Sequence, residues 1–314
     1  MGYCEKAQHI SQCLELAILL EVSAEKPGNV NLTSSFEGTT CQHFLASAIA
    51  AGPSFQEAAS RGQQVSEGKL AIGDVGLGEL IKTCASDVNA WQRGRNTILG
   101  TIMLFAPIAV AAGMTPSSKN GFDFSGLRKN IDLAIKATNA LDSVHLYEAI
   151  DIAHPSGLNK SSELDVNDPN SKQRLIQDKV TLFEVFRIGA CYDDISNEWV
   201  NNYPITFGLV YPFLSEQLKT KPLNTAVVHT FLKILSEHPD TLIARKVGKE
   251  KAEKVSSDAK AVLDLGGLET EEGKISLVEF DKKLRLSQNK CNPGTTADLT
   301  AAALALCTLS GYRP

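Results

Sequence analysis

The chain has 314 residues, 43% of them apolar, and a formal net charge of −5. That length supports a substantial core, in one large domain or two smaller ones. The negative balance argues against broad nucleic-acid binding, which needs a basic face, so an anionic ligand would require its counter-charge to be concentrated locally. Seven scattered cysteines with no C-x-x-C pair fit the reduced thiols of a cytoplasmic protein better than a disulfide framework. Six histidines without metal-ligand spacing argue against zinc. Glu5, Lys6, His9 and Glu15 interrupt the first apolar stretch, so no secretory signal is expected.

Apolar side chains at Ile10, Leu14, Ala17 and Ile18 predict a helix over 7–22. The Lys26-Pro27-Gly28-Asn29 turn follows; Pro then Gly at its centre suits a type II turn exposing backbone donors beside a lysine charge. Plain helix termination is the competing reading. Helical patterns recur at about 40–61, 68–92 and 97–113. Arg93 and Arg95 flank the start of the last, Asn96-Thr97-Ile98-Leu99-Gly100, whose first turn has no acid. Cations at that end of the macrodipole are unfavourable by about 0.3–1 kcal/mol unless an anion joins them, or unless both arginines point into water. The apolar run Ile98 to Ala112 is about 15 residues long and contains Pro107. A bilayer span needs roughly 20, so a buried core helix and no membrane partner are expected.

Segment 114–126 reads as a surface loop, with helices at 127–140 and 143–153 after it. Segment 154–174 is polar, turn-rich and long for a connector: a lid or site loop, or a solvated linker. Helices follow at 175–190 and 191–202. The second opens on Asp193-Asp194-Ile195-Ser196-Asn197-Glu198, where Asp194 and Glu198 share a face at i, i+4 and repel unless a cation sits nearby. Mg²⁺ bridging Asp193, Asp194 and Glu198 to phosphate oxygens would supply one; an acidic first turn favoured by the helix dipole is the alternative. Helices at 224–237, 241–263, 276–287 and 296–310 complete the chain. Asp240-Thr241 starts the second of these, with Arg245 and Lys246 one turn inside, whereas Lys249, Lys251 and Lys254 alternate with acids as a solvated face. Asn292-Pro293-Gly294-Thr295-Thr296-Ala297-Asp298 starts the last, with Thr295 as cap and Asp298 three positions on. Free N–H groups at such starts attract phosphates. Strand patterns are scarce, so the fold class is all-α: a single large bundle-like multi-helix domain over 1–314.

Five of these motifs, in this order, resemble the triphosphoribosyl-dephospho-CoA synthase family, and more closely its archaeal-type branch. They are Leu20 to Val30, Asn96 to Gly100, Tyr192-Asp193-Asp194-Ile195, Asp240 to Lys246, and Asn292 to Asp298. Bacterial members carry an Asp after the Lys-Pro-Gly turn and then a Gly-Ala-His segment; Asn31 and Ser34-Ser35-Phe36-Glu37-Gly38-Thr39 stand there in this chain. The resemblance implies transfer of the triphosphoribosyl unit of ATP to the ribose 2′-hydroxyl of 3′-dephospho-CoA, or a related acceptor, with release of adenine. On that basis Lys26, Arg245, Lys246 and the backbone at Gly28, Asn29, Gly100, Gly294 and Thr295 are expected to hold the triphosphate. Asn96, Thr97, Asn292 and Thr296 would orient sugar or phosphate oxygens, and Asp193, Asp194 or Asp298 would bind Mg²⁺ or act as base. A nucleotide N-glycosidase and a non-catalytic nucleotide-binding regulator are the rival readings. The sequence is compatible with a homo-oligomer without specifying one.

Overall fold

The runs Leu99 to Met114 and Gly294 to Leu309 are apolar on every face, and a helix of that kind has to be buried on all sides. The computed structural model describes residues 3–116, 123–158, 164–286 and 290–314. In chain order its helices are α1 (Tyr3–Ser23), α2 (Cys41–Ser66), α3 (Leu77–Trp91), α4 (Leu99–Met114), α5 (Phe124–Lys136), α6 (Ala140–Ala153), α7 (Ser171–Gln177) and α8 (Leu182–Gly189). They continue as α9 (Asp194–Val200), α10 (Tyr211–Thr220), α11 (Leu223–Glu237), α12 (Thr241–Val247), α13 (Lys249–Asp264), α14 (Glu271–Arg285) and α15 (Gly294–Leu309). No strand occurs among the described residues, so the fold is all-α; only an isolated bridge links Phe36 and Thr39.

α4 and α15 pack against each other at the centre, with α1 and α2 across one side and α11 and α9 on others. The α2–α4 contact is backbone against backbone. A Cβ on Gly62 would meet the Val110 carbonyl oxygen at 2.0 Å, and one on Gly113 would meet that of Ala59 at 2.1 Å. Glycine at both places is what lets the helices close. One apolar core runs from Ala7 in α1 to Leu309 in α15. No helix among the described residues is long and apolar enough to cross a membrane.

The helical reading differs from the structure mainly where a helix breaks. The expected helix over 68–92 is interrupted by Gly76 in the left-handed region (φ +67°), so α3 starts only at Leu77. The expected 175–190 helix is two, because Lys179 has φ +53° and Thr181 starts α8 with a reciprocal Thr181–Glu184 cap. Gly248 (φ +97°) likewise divides α12 from α13. Thr270 caps α14 five residues earlier than the apolar pattern suggests, its hydroxyl accepting from Gly273 N. The sequence pattern predicts no helix over 203–223, where the structure has a π-helical turn (Thr206–Val210) leading into α10. Residues 117–122 of the expected surface loop lie outside the described residues, as do 159–163 of the polar 154–174 segment.

Candidate active site

A cavity of about 1600 Å³ lies among α1, α3, α4, α6, α8, α9, α12 and α15. Its wall brings both ends of the chain together. Asn292 donates from Nδ2 to Asn29 Oδ1 (2.8 Å) and to the Gly28 carbonyl (3.3 Å), tying the first Pro-Gly turn to the last. Asn29, Asn96, Thr97, Gly100, Asp193, Arg245, Lys246, Asn292, Gly294, Thr295 and Asp298 all line it. The described parts of the polar segment, His154 to Leu158 together with Leu164, Val166 and Asn167, form another stretch of wall.

The floor is built around Asp298. It projects from the second turn of α15, and Thr101 Oγ1 on α4 donates to its Oδ1 at 2.6 Å. A Cβ at position 100 would lie 2.1 Å from Asp298 Oδ2, so Gly100 makes room for the carboxyl rather than for a phosphate. Burial pushes this carboxyl up to about 8; the charges of Glu21 and Asp240 add to the rise and the Thr101 hydroxyl opposes it. Thr295 does not cap α15 and Asp298 makes no capping box, since both side chains are engaged elsewhere.

Several expected ligands have other employment. Gly28 N–H donates to Asp281 Oδ1 at 2.7 Å, so it is not an idle phosphate donor. Lys26 is fully buried; its ammonium lies 3.2 Å from Glu21 Oε1 and donates to the Glu21 and Ala24 carbonyls. It is the counter-ion of Glu21 and lies behind the wall. Thr296 donates both its N–H and its hydroxyl to Asp240 Oδ2, each at 2.8 Å, and points away from the cavity. Asn96 Oδ1 accepts from Leu99 N at 3.2 Å, holding the start of α4, and Thr97 Oγ1 shares a hydrogen bond with Ser47 Oγ.

The acidic group is not a metal cage. Asp193 caps α9, accepting from Ser196 N at 2.9 Å, and forms an ion pair with Arg245. Asp194 stands behind it with its carboxyl pushed up to about 7, by burial first and then by the charges of Asp193 and Asp240. Glu198 is fully buried and accepts from Ile205 N (2.8 Å) and Thr206 N (3.1 Å), its carboxyl also raised to about 7 by burial. No group of three potential ligands that could hold a metal occurs among the described residues. These three carboxyls therefore do not fit a resident Mg²⁺.

Positive charge is nonetheless concentrated here. Arg95, Arg245, Lys246, Lys249 and Lys290 all border the cavity, Lys249 from its rim while keeping the solvated face expected of it, exposed and 3.7 Å from Glu253. Burial lowers the Lys246 ammonium below the usual lysine range. Glu21 was missed in the sequence, although one acid inside Ala17-Ile18-Leu19-Leu20-Glu21-Val22 is a visible anomaly. Asp240 was legible as a cap but not as a double one. Its Oδ1 accepts from Ile243 N at 3.0 Å while its Oδ2 holds Thr296. A polyanion-sized space with cations on its wall and a half-buried carboxyl in its lining suits proton removal beside a phosphorylated ligand.

The family model described as CitG, ATP:dephospho-CoA triphosphoribosyl transferase, matches residues 7–314. No curated protein matches the sequence. A crystal structure described as that of a candidate triphosphoribosyl-dephospho-CoA synthase from Archaeoglobus fulgidus is similar, with a TM-score of 0.64 and 26% identity. That similarity covers 87% of this chain and 99% of the other.

Proposed function

From a chain that belongs to the ATP:dephospho-CoA triphosphoribosyl transferase family, we propose that it moves the triphosphoribosyl group of ATP onto the ribose 2′-hydroxyl of 3′-dephospho-CoA and releases adenine. The C1′–N9 bond of ATP breaks with its electron pair remaining on adenine. The acceptor oxygen then bonds C1′, and the hydroxyl proton passes to the Asp298 carboxylate and on to the departing base or water. The observation that carries this reading is the Asp298 carboxyl, half-buried in the cavity lining and held by Thr101. The cations at Arg95, Arg245, Lys246, Lys249 and Lys290 supply the charge a triphosphate needs. The apolar wall at Leu146, Ile150, Val185 and Phe186 suits an uncharged acceptor arm.

Incubation with ATP, Mg²⁺ and dephospho-CoA, followed by mass spectrometry, tests the proposal. Adenine is expected only when the acceptor is present, together with an acceptor heavier by one triphosphoribosyl unit. Asp298→Asn is expected to lower turnover by about 10²–10⁴-fold, the usual value of a placed base. Adenine formed without acceptor would make the protein an N-glycosidase; no adenine at all would make it a nucleotide-binding protein without chemistry.

A further inference from the structure

We infer that Glu21 is a second catalytic carboxylate, facing the ribosyl cation, and that Lys26 is the positioning residue that keeps it ionised. The inference rests on the transferase reading above. Glu21 sits near the end of α1, inside an apolar run, and lines the same cavity as the α15 carboxyl Asp298, near enough for its charge to act on that carboxyl. Lys26 has no solvent exposure, and its ammonium already meets one carboxylate and two carbonyls of the same segment. A triphosphate would have to displace those contacts to reach it. A buried ion pair adds little stability over apolar residues of the same size, yet here one member opens onto the cavity.

The two carboxyls then divide the work. The Lys26 ammonium, 3.2 Å from Glu21 Oε1, pulls that carboxyl toward its anion against a desolvation that on balance raises it, while Asp298, with no cation among its hydrogen-bond partners in the described residues, trades a proton near neutrality. As the C1′–N9 bond breaks, positive charge grows on the ribosyl ring. Glu21 stabilises it electrostatically without forming a bond, and Asp298 takes the acceptor's proton. Two carboxyls tuned apart by their surroundings are a general solution for acetal chemistry.

The Glu21→Gln/Lys26→Met double variant removes both charges together, so no orphaned ion is left in the fold. Its adenine release is expected to fall by about 10²–10³-fold, the usual loss when one preorganised electrostatic contact is removed. KM for ATP should be kept, because a contact made only in the transition state acts on kcat. Lys26→Met alone leaves Glu21 to take up a proton. Its activity relative to wild type should recover as pH rises and the carboxyl ionises, which a purely structural lysine would not produce. A double variant as fast as wild type, or a Lys26→Met variant without alkaline recovery, overturns the inference. Absence of adenine release by the wild-type protein would instead defeat the transferase reading itself.

Discussion

A carboxyl raised to about 8 holds its proton at neutral pH, so Asp298 as a base is mostly in its inactive form there. Activity requires the ionised form, present above that value and lost as pH falls through it. The wild-type kcat/KM should therefore climb with pH and level off above about 8. The groups setting this limb come from three directions: Thr101 on α4, Glu21 on α1, and Asp240 just before α12. A pH–rate profile measured from neutral to alkaline checks it. A limb that descends through the same region would make Asp298 the acid that protonates adenine, and would end its assignment as base. The same shift costs stability, because in an unfolded chain the carboxyl ionises near about 4. The native state thus loses stability as pH rises from there through its folded value. Sequence spacing could nominate Asp298, Asn29, Asn96 and Asn292, since each sits at a helix start or turn. It could not show that Lys26 faces Glu21 or that Arg245 pairs with Asp193. Lys26 folds back on Glu21 five residues away, through the particular turn that ends α1, and Arg245 meets Asp193 across 52 residues only through tertiary packing.

Among elements, α12 and α15 depend on one side chain. Asp240 caps its own helix through Ile243 N and takes the N–H and hydroxyl of Thr296 at the start of α15. It thereby sets the cation-bearing helix of Arg245 and Lys246 against the helix of Asp298. Asp240→Asn keeps one acceptor but turns an amide donor toward the other donors. About 1–3 kcal/mol of stability should be lost, as for other buried polar groups left unsatisfied, and KM for ATP should rise as the cations shift. Chemical denaturation and ATP titration measure the two effects, and wild-type values in both would show that the shared cap does not set the site. The long apolar helices were readable because α1, α4 and α15 follow unbroken patterns. The breaks at Gly76, Lys179 and Gly248 were not, since each depends on a positive φ that propensity leaves open. Nor are the helix tips bare and waiting for phosphate: at Gly28 and Thr296 the N–H groups already hold the carboxylates of Asp281 and Asp240.

At the scale of the whole molecule, a chain of net charge −5 gathers five cations on the wall of one cavity. Of the facing acids, Glu21 is paired with Lys26, Asp193 with Arg245, and Asp298 is largely protonated at neutral pH. Glu37 is the remaining acid on the wall, so the cavity carries excess positive charge that repels itself until a polyanion arrives. ATP should therefore stabilise the folded protein by more than the contacts of its base and sugar would provide. Ligand at a hundred times its Kd contributes about 2.7 kcal/mol. With an unfolding entropy of about 2.1 cal/mol/K per residue, that corresponds to a Tm rise of about 4 °C for a chain of this size. Inorganic triphosphate should give part of the rise and adenosine little of it, and added salt should shrink it by screening the exposed cations. Thermal-shift curves with ATP, triphosphate and adenosine at low and high salt make the comparison. Equal shifts for ATP and adenosine, insensitive to salt, would mean that the cations do not hold the phosphates and that the base alone anchors the nucleotide.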